Sequence, residues 1–293
     1  MIAALTEKLC FAFPLVAAIF FLRIPLEPEL LQKYLERLLI LILVYLIWLL
    51  TLPAIVKVAN LKKYKVGKIY RISGWLITLA LIILSVFLLQ VVYNHFNFRT
   101  FLVVANAMAC EALTVALKLR NYRLPALLTR FAASSSWGIA GFAVFQNTLY
   151  WQTVVLSAGI ALVLTTTDIA ESVPIPAKSD VKRSRKRQKR NKSAKSIKKK
   201  KNLATYLSHP LPVEKLYPAF LFGGPALLVV LYLLKELPER YGFILIAPST
   251  MIPWLTVLHE QKELNETARK SFIYQNRLAV LLFVVIIVVF GIF

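Results

Sequence analysis

Apolar runs recur along this chain at lengths that leave few folds open. A helix of about 20 apolar residues crosses the hydrocarbon core of a bilayer. Nine apolar segments can be drawn, at roughly 8–22, 38–58, 73–93, 100–118, 125–146, 149–168, 216–235, 241–258 and 276–293. Inside a bilayer each backbone N–H and C=O must find its partner within the chain, so each segment is expected to be a helix. Composition agrees: 58% of residues are apolar, against about 45–50% in soluble domains. The expected fold class is therefore all-α, a polytopic membrane helical bundle of about nine transmembrane helices. The first segment is short and carries Pro14, so an oblique or re-entrant helix is open there. FFLRIPLEPE follows it without a small-residue cleavage pattern, so it is expected to be retained.

One loop orients the rest. Asp168 to Lys201 begins at the end of the sixth segment and finishes as a block of lysine and arginine. From Lys178 to Lys201 fourteen cations face a single acid, Asp180, and they supply much of the net charge of +22. Such a block cannot sit in hydrocarbon, where one charge costs at least about 2.5–3.5 kcal/mol. The positive-inside rule puts it in the cytoplasm. The loops around 57–71, 118–123 and 260–277 are also rich in cations, and those between them are poor. That alternation predicts a cytoplasmic N-terminus and a C-terminus on the opposite side.

Residues 182–201 are nearly free of apolar side chains and are expected to be disordered. The chain then divides into residues 1–177 with six segments, a polybasic cytoplasmic loop at 178–213, and residues 214–293 with three more, all in one membrane domain. The loop suits an anionic lipid surface, at about 1 kcal/mol per cation near it. It has no interleaved aromatic residues, so base stacking is not suggested and nucleic acid is an unlikely partner.

Polar residues near the boundaries are the candidates for chemistry. Asp168 and Glu171 share a helix face at i, i+3. Paired carboxylates near water can hold Mg²⁺ against a phosphorylated substrate; the plainer alternative is that they flank a helix end. Lys118, Arg120 and Arg123 follow the fourth segment, and their donors suit phosphate oxygens, or they are ordinary positive-inside charge. Glu111, in AMACEALTV, is an intramembrane acid and so a candidate for substrate binding. Arg130, Asn106 and Asn147 are weaker polar candidates. Trp75, Trp137, Trp151 and Trp254 fall near boundaries, as interfacial anchors do. Cys10 and Cys110 form no disulfide framework or metal-ligand spacing, and His95, His209 and His259 are scattered.

Several stretches resemble the UbiA-type intramembrane aromatic prenyltransferases. ALTVALKLRNYRLPALLTRFAASSSWGIAGFAVF is similar to the family's passage from its fourth helix, with its cations, into its fifth. ALVLTTTDIAESVP resembles the second acidic motif, with Asp168 matching the first acid and Glu171 standing for the last. SFIYQNRLAVLLF is similar to the family's last helix. The resemblance implies a bundle around a lipid-open cavity and transfer of a prenyl group from a polyprenyl diphosphate. It implies Mg²⁺ at the catalytic pair Asp168 and Glu171, and diphosphate on Lys118, Arg120 and Arg123. The family's first acidic motif should fall near Asn60, where this chain reads NLKKYKVGKIYRIS. Asn60 fits, both acids are missing, and lysines fill the loop. Either Lys62, Lys65, Lys68 or Arg71 holds the diphosphate directly, or the transfer chemistry is lost.

Two other classes compete with this reading. One is a non-catalytic membrane protein whose basic loop binds anionic lipid, an acidic protein or nucleic acid. The other is a transporter, disfavoured because no inverted repeat or pair of broken helices stands out.

Overall fold

The computed structural model describes residues 28–60, 68–143, 150–173, 212–235, 245–260 and 264–292. Among them there is no strand. The helices, in order, are α1 (Pro28–Asn60), α2 (Lys68–His95), α3 (Phe98–Leu119), α4 (Arg123–Ala143), α5 (Trp151–Glu171), α6 (Val213–Leu233), α7 (Ile246–Ser249), α8 (Ile252–Glu260) and α9 (Glu266–Ile292). Six of these, α1, α2, α3, α5, α6 and α9, are long and apolar enough to cross a membrane. The chain is a multi-pass integral membrane protein built of helices.

The nine expected spans do not map one to one onto these six. The first segment, 8–22, and the polybasic stretch up to residue 211 lie outside the described residues. The fifth segment forms α4, but Arg123, Thr129, Arg130 and three consecutive serines from Ser134 make that helix too polar to count by composition. It packs between α3 and α5. The eighth segment does not form one span: it is broken into α7 and α8. Pro253 accounts for the break, since it lacks the N–H that a continuous helix would bond to the Ser249 carbonyl.

Sharp turns set the helix neighbours. Asn97 caps α3, its side chain accepting the Thr100 N–H at 2.8 Å. The α3–α4 turn is a Schellman closure. Tyr122 N–H donates to the Leu117 carbonyl at 2.9 Å and Asn121 N–H to the Lys118 carbonyl at 3.0 Å. Asn121 takes the left-handed conformation that this motif needs, with φ of 60°. The closure makes α3 and α4 neighbours and brings Lys118 and Arg123 to the same end of the bundle.

Packing then runs from α3 to α4 to α5 to α6, with α9 also against α5 and with α1 paired to α2. α5 is the most buried of the six spans, whereas α1 and α2 are largely uncovered. Leu39, Leu46 and Leu50 on α1, with Leu76, Ile83 and Phe87 on α2, are exposed and read as lipid-facing. The centre of α5 is occupied because small residues let backbones approach. A Cβ on Gly224 of α6 would lie 2.4 Å from the Gly159 carbonyl oxygen and 2.6 Å from Val163.

Polar ties lock this core. Buried Asn276 of α9 accepts hydrogen bonds from Tyr217 Oη of α6 at 2.7 Å and from Thr166 Oγ1 of α5 at 3.1 Å. Thr114 of α3 donates to Thr129 of α4 at 2.8 Å. A second apolar cluster of Leu127, Ile169, Val173, Tyr217, Leu264 and Phe272 closes the end where α4 and α9 begin and α5 finishes. Trp137 does not stand at a boundary as its sequence position suggested. It is 1% exposed and meets Tyr45 edge-on at 5.0 Å, because the serines and glycines of α4 turn that face inward.

Candidate functional site

At that same end lies a cavity of about 580 Å³, within the range of small-molecule sites. Lys118 comes from the last turn of α3, Arg123 from the start of α4, Asp168 and Glu171 from the last turn of α5, and Arg269 from the first turns of α9. Ala126, Leu127 and Val173 add an apolar floor. Asp168 and Glu171 thus share one cavity with Lys118 and Arg123. Arg120 is exposed in the α3–α4 turn and is not among the lining residues. Asn60 ends α1, and Lys68 and Arg71 lie at the start of α2. The side chains of these three, and all of Lys62 and Lys65, lie outside the described residues.

The charges form a ladder. Glu111, only 3% exposed in α3, faces Arg130 Nη1 of α4 at 3.6 Å. Arg130 Nε faces Asp168 Oδ2 at 3.4 Å, and Lys118 Nζ donates to Asp168 Oδ1. Asp168 is 9% exposed, Arg130 16% and Lys118 51%, so the ladder climbs from the bundle interior to its mouth. The indoles of Trp48 and Trp137 adjoin Glu111 at its lower end. Beside the ladder, Arg277 Nη2 donates to Glu171 Oε1 at 2.9 Å, and Arg269 Nη2 donates to the Glu171 main-chain carbonyl.

Helix dipoles explain why these pairs are needed. Asp168 and Glu171 sit at the C-terminal end of α5, where the dipole disfavours an anion by roughly 0.3–1 kcal/mol. Asp168, 9% exposed, would cost far more if left isolated, whereas Glu171 is partly exposed. Arg130 and Arg277 offset both terms, and Arg269 satisfies a carbonyl that the helix end leaves open. Five cations, Lys118, Arg123, Arg130, Arg269 and Arg277, stand with three carboxylates, Glu111, Asp168 and Glu171. The cluster carries an excess of positive charge.

The residues present do not fit a magnesium ion. Mg²⁺ takes about six oxygen ligands in near-ideal octahedral geometry. Here both carboxylates are engaged by guanidinium or ammonium groups, which would repel a second cation. Among the described residues no group of three His, Cys, Asp or Glu could hold a metal. Chemically, the site can receive an anion: Lys118, Arg123 and Arg269 converge on it from three helices.

Three participants were weak or silent in the sequence. Arg130 was only a weaker polar candidate, a single cation within an apolar segment. Arg269 and Arg277 read as loop charge beside the last segment; their spacing of eight residues, just over two helical turns, was the available signal. No family model, curated protein or solved structure matches this chain.

Proposed function

We propose that this membrane protein binds a phosphorylated lipid, with a polyprenyl diphosphate as the substrate class, and that the headgroup sits in the cavity between α3, α4, α5 and α9. The observation that carries the reading is the convergence of Lys118, Arg123 and Arg269 on a cavity with an apolar floor. Guanidinium forks and an ammonium match phosphate oxygens, while exposed apolar flanks on neighbouring helices suit the hydrocarbon tail. Prenyl transfer of the UbiA type is the enzymatic form of the same reading. In it these cations would stabilise the diphosphate leaving group as its bond to the prenyl carbon breaks. On this reading the mouth faces the cytoplasm, since the 118–123 loop belongs to the cation-rich set.

The test is fluorescence titration of geranylgeranyl diphosphate into protein held in neutral-lipid nanodiscs. Wild type should bind saturably. Arg123→Ala should weaken binding about tenfold, the loss of one charge-assisted contact. Absence of saturable binding would shift the assignment to a non-catalytic protein that acts through its basic segment at 178–201 on anionic lipid.

A further inference from the structure

We infer that Arg130 and Arg277 stand where a divalent metal would otherwise neutralise Asp168 and Glu171, and that the cavity takes phosphate without metal, with Asp168 as the displaceable counter-ion of Lys118. This inference rests on the phosphate-binding reading and specifies how that site is controlled.

The cations lie in two tiers. The inner tier is Arg130, which spans Glu111 and Asp168, and Arg277, which holds Glu171. The outer tier is Lys118, Arg123 and Arg269, all lining the cavity. Asp168 touches both tiers through its carboxylate, Oδ1 to Lys118 and Oδ2 to Arg130, whereas Glu171 meets the outer tier only through its main-chain carbonyl on Arg269. When Lys118 leaves Asp168, the carboxylate remains paired with Arg130. No buried charge is stranded, and stranding is what makes breaking a buried pair costly.

Lys118 is suited to the exchange. Its side chain is 51% exposed and ends on a flexible stem. A diphosphate offers it more charge and more acceptor oxygens than one carboxylate does. Arg269 needs no release: one Nη2 contact goes to a main-chain carbonyl, and its buried Nε has no hydrogen-bond partner among the described residues. Arg123 is exposed, with no ion pair among the described residues. An incoming phosphate therefore displaces one contact, Lys118 to Asp168, and leaves both carboxylates neutralised.

A metal site and a counter-ion site predict opposite signs. If Asp168 held a metal, Asp168→Asn and chelation would both weaken binding. In the counter-ion arrangement, Asp168→Asn frees Lys118 in advance, and binding tightens about three- to fivefold, the worth of a half-exposed pair. Geranylgeranyl diphosphate is titrated into wild type, Asp168→Asn, Glu171→Gln and Arg123→Ala in neutral-lipid nanodiscs, with EDTA and with Mg²⁺. The expected result is wild-type affinity equal in both media, tighter binding by Asp168→Asn, unweakened binding by Glu171→Gln, and weaker binding by Arg123→Ala. Wild-type binding lost in EDTA, or Asp168→Asn binding more weakly, overturns the inference while leaving the phosphate site in place. The chelation arm needs no variant, so it decides even where Asp168→Asn fails to fold. No binding by wild type, Asp168→Asn and Glu171→Gln alike overturns the phosphate reading itself, and the inference with it.

Discussion

Arg130 carries more of this site than its place in an apolar helix suggests. Its guanidinium neutralises two carboxylates from different helices, Glu111 and Asp168, both nearly inaccessible to solvent. Arg130→Ala would strand both, and losing a buried ionic partner costs about 3–5 kcal/mol. The expected outcome is a large drop in thermal stability in detergent, read by fluorescence-detected size-exclusion after heating. Adding Glu111→Gln should recover part of it by removing one stranded charge. A single Arg130→Ala with wild-type stability would show that the ladder does not support the bundle. In the sequence, Asp168, Glu171, Lys118 and Arg123 were legible as site candidates because acids and cations at a water boundary stand out from apolar runs. Arg130 stood out less, as one of the weaker polar candidates, since its partner Asp168 lies 38 positions away on another helix.

At the scale of elements, α5 and α6 meet through glycine, and that meeting sets where Asp168 stands. Gly224→Ala would force its Cβ against the Gly159 carbonyl and Val163, at 2.4 and 2.6 Å. Both contacts are to atoms of a packed helix, so the helices must separate. Overpacking of this kind costs about 1–3 kcal/mol, which should appear as a lower midpoint in the same heating assay. Gly223→Ala is the control, because its Cβ would meet only Leu162 at an ordinary 3.5 Å. Equal effects of the two substitutions would argue against the close crossing. Helix identity was legible for most segments from length and apolarity. The break between α7 and α8 was not read, although Pro253 was in view, because the surrounding run is apolar enough to resemble a span.

For the whole molecule, the structure makes a topological statement that labelling can check. α3 runs from Phe98 to Leu119, so its two flanking turns lie at opposite ends of one membrane-spanning helix. In a cysteine-free background, Asn121→Cys and Asn94→Cys should react with an impermeant maleimide from opposite sides. Ser193→Cys, in the basic segment, should label from the side of Asn121→Cys, as the charge bias predicts. Asn121→Cys and Asn94→Cys labelling from the same side would remove α3 as a span. The sequence by itself determined the class of this protein: long apolar runs admit little besides membrane helices, because lipid offers the backbone no partners. It also marked which residues were chemically unusual. Only the tertiary structure decided what those residues face. Asp168 meets Lys118 across 50 positions and Glu171 meets Arg277 across 106. Such pairings depend on which helices become neighbours and at what rotation, and neither is encoded in local hydropathy. That is why the sequence could mark Asp168 and Glu171 as candidate ligands but not show that Asp168 faces Lys118 and Arg130 and Glu171 faces Arg277.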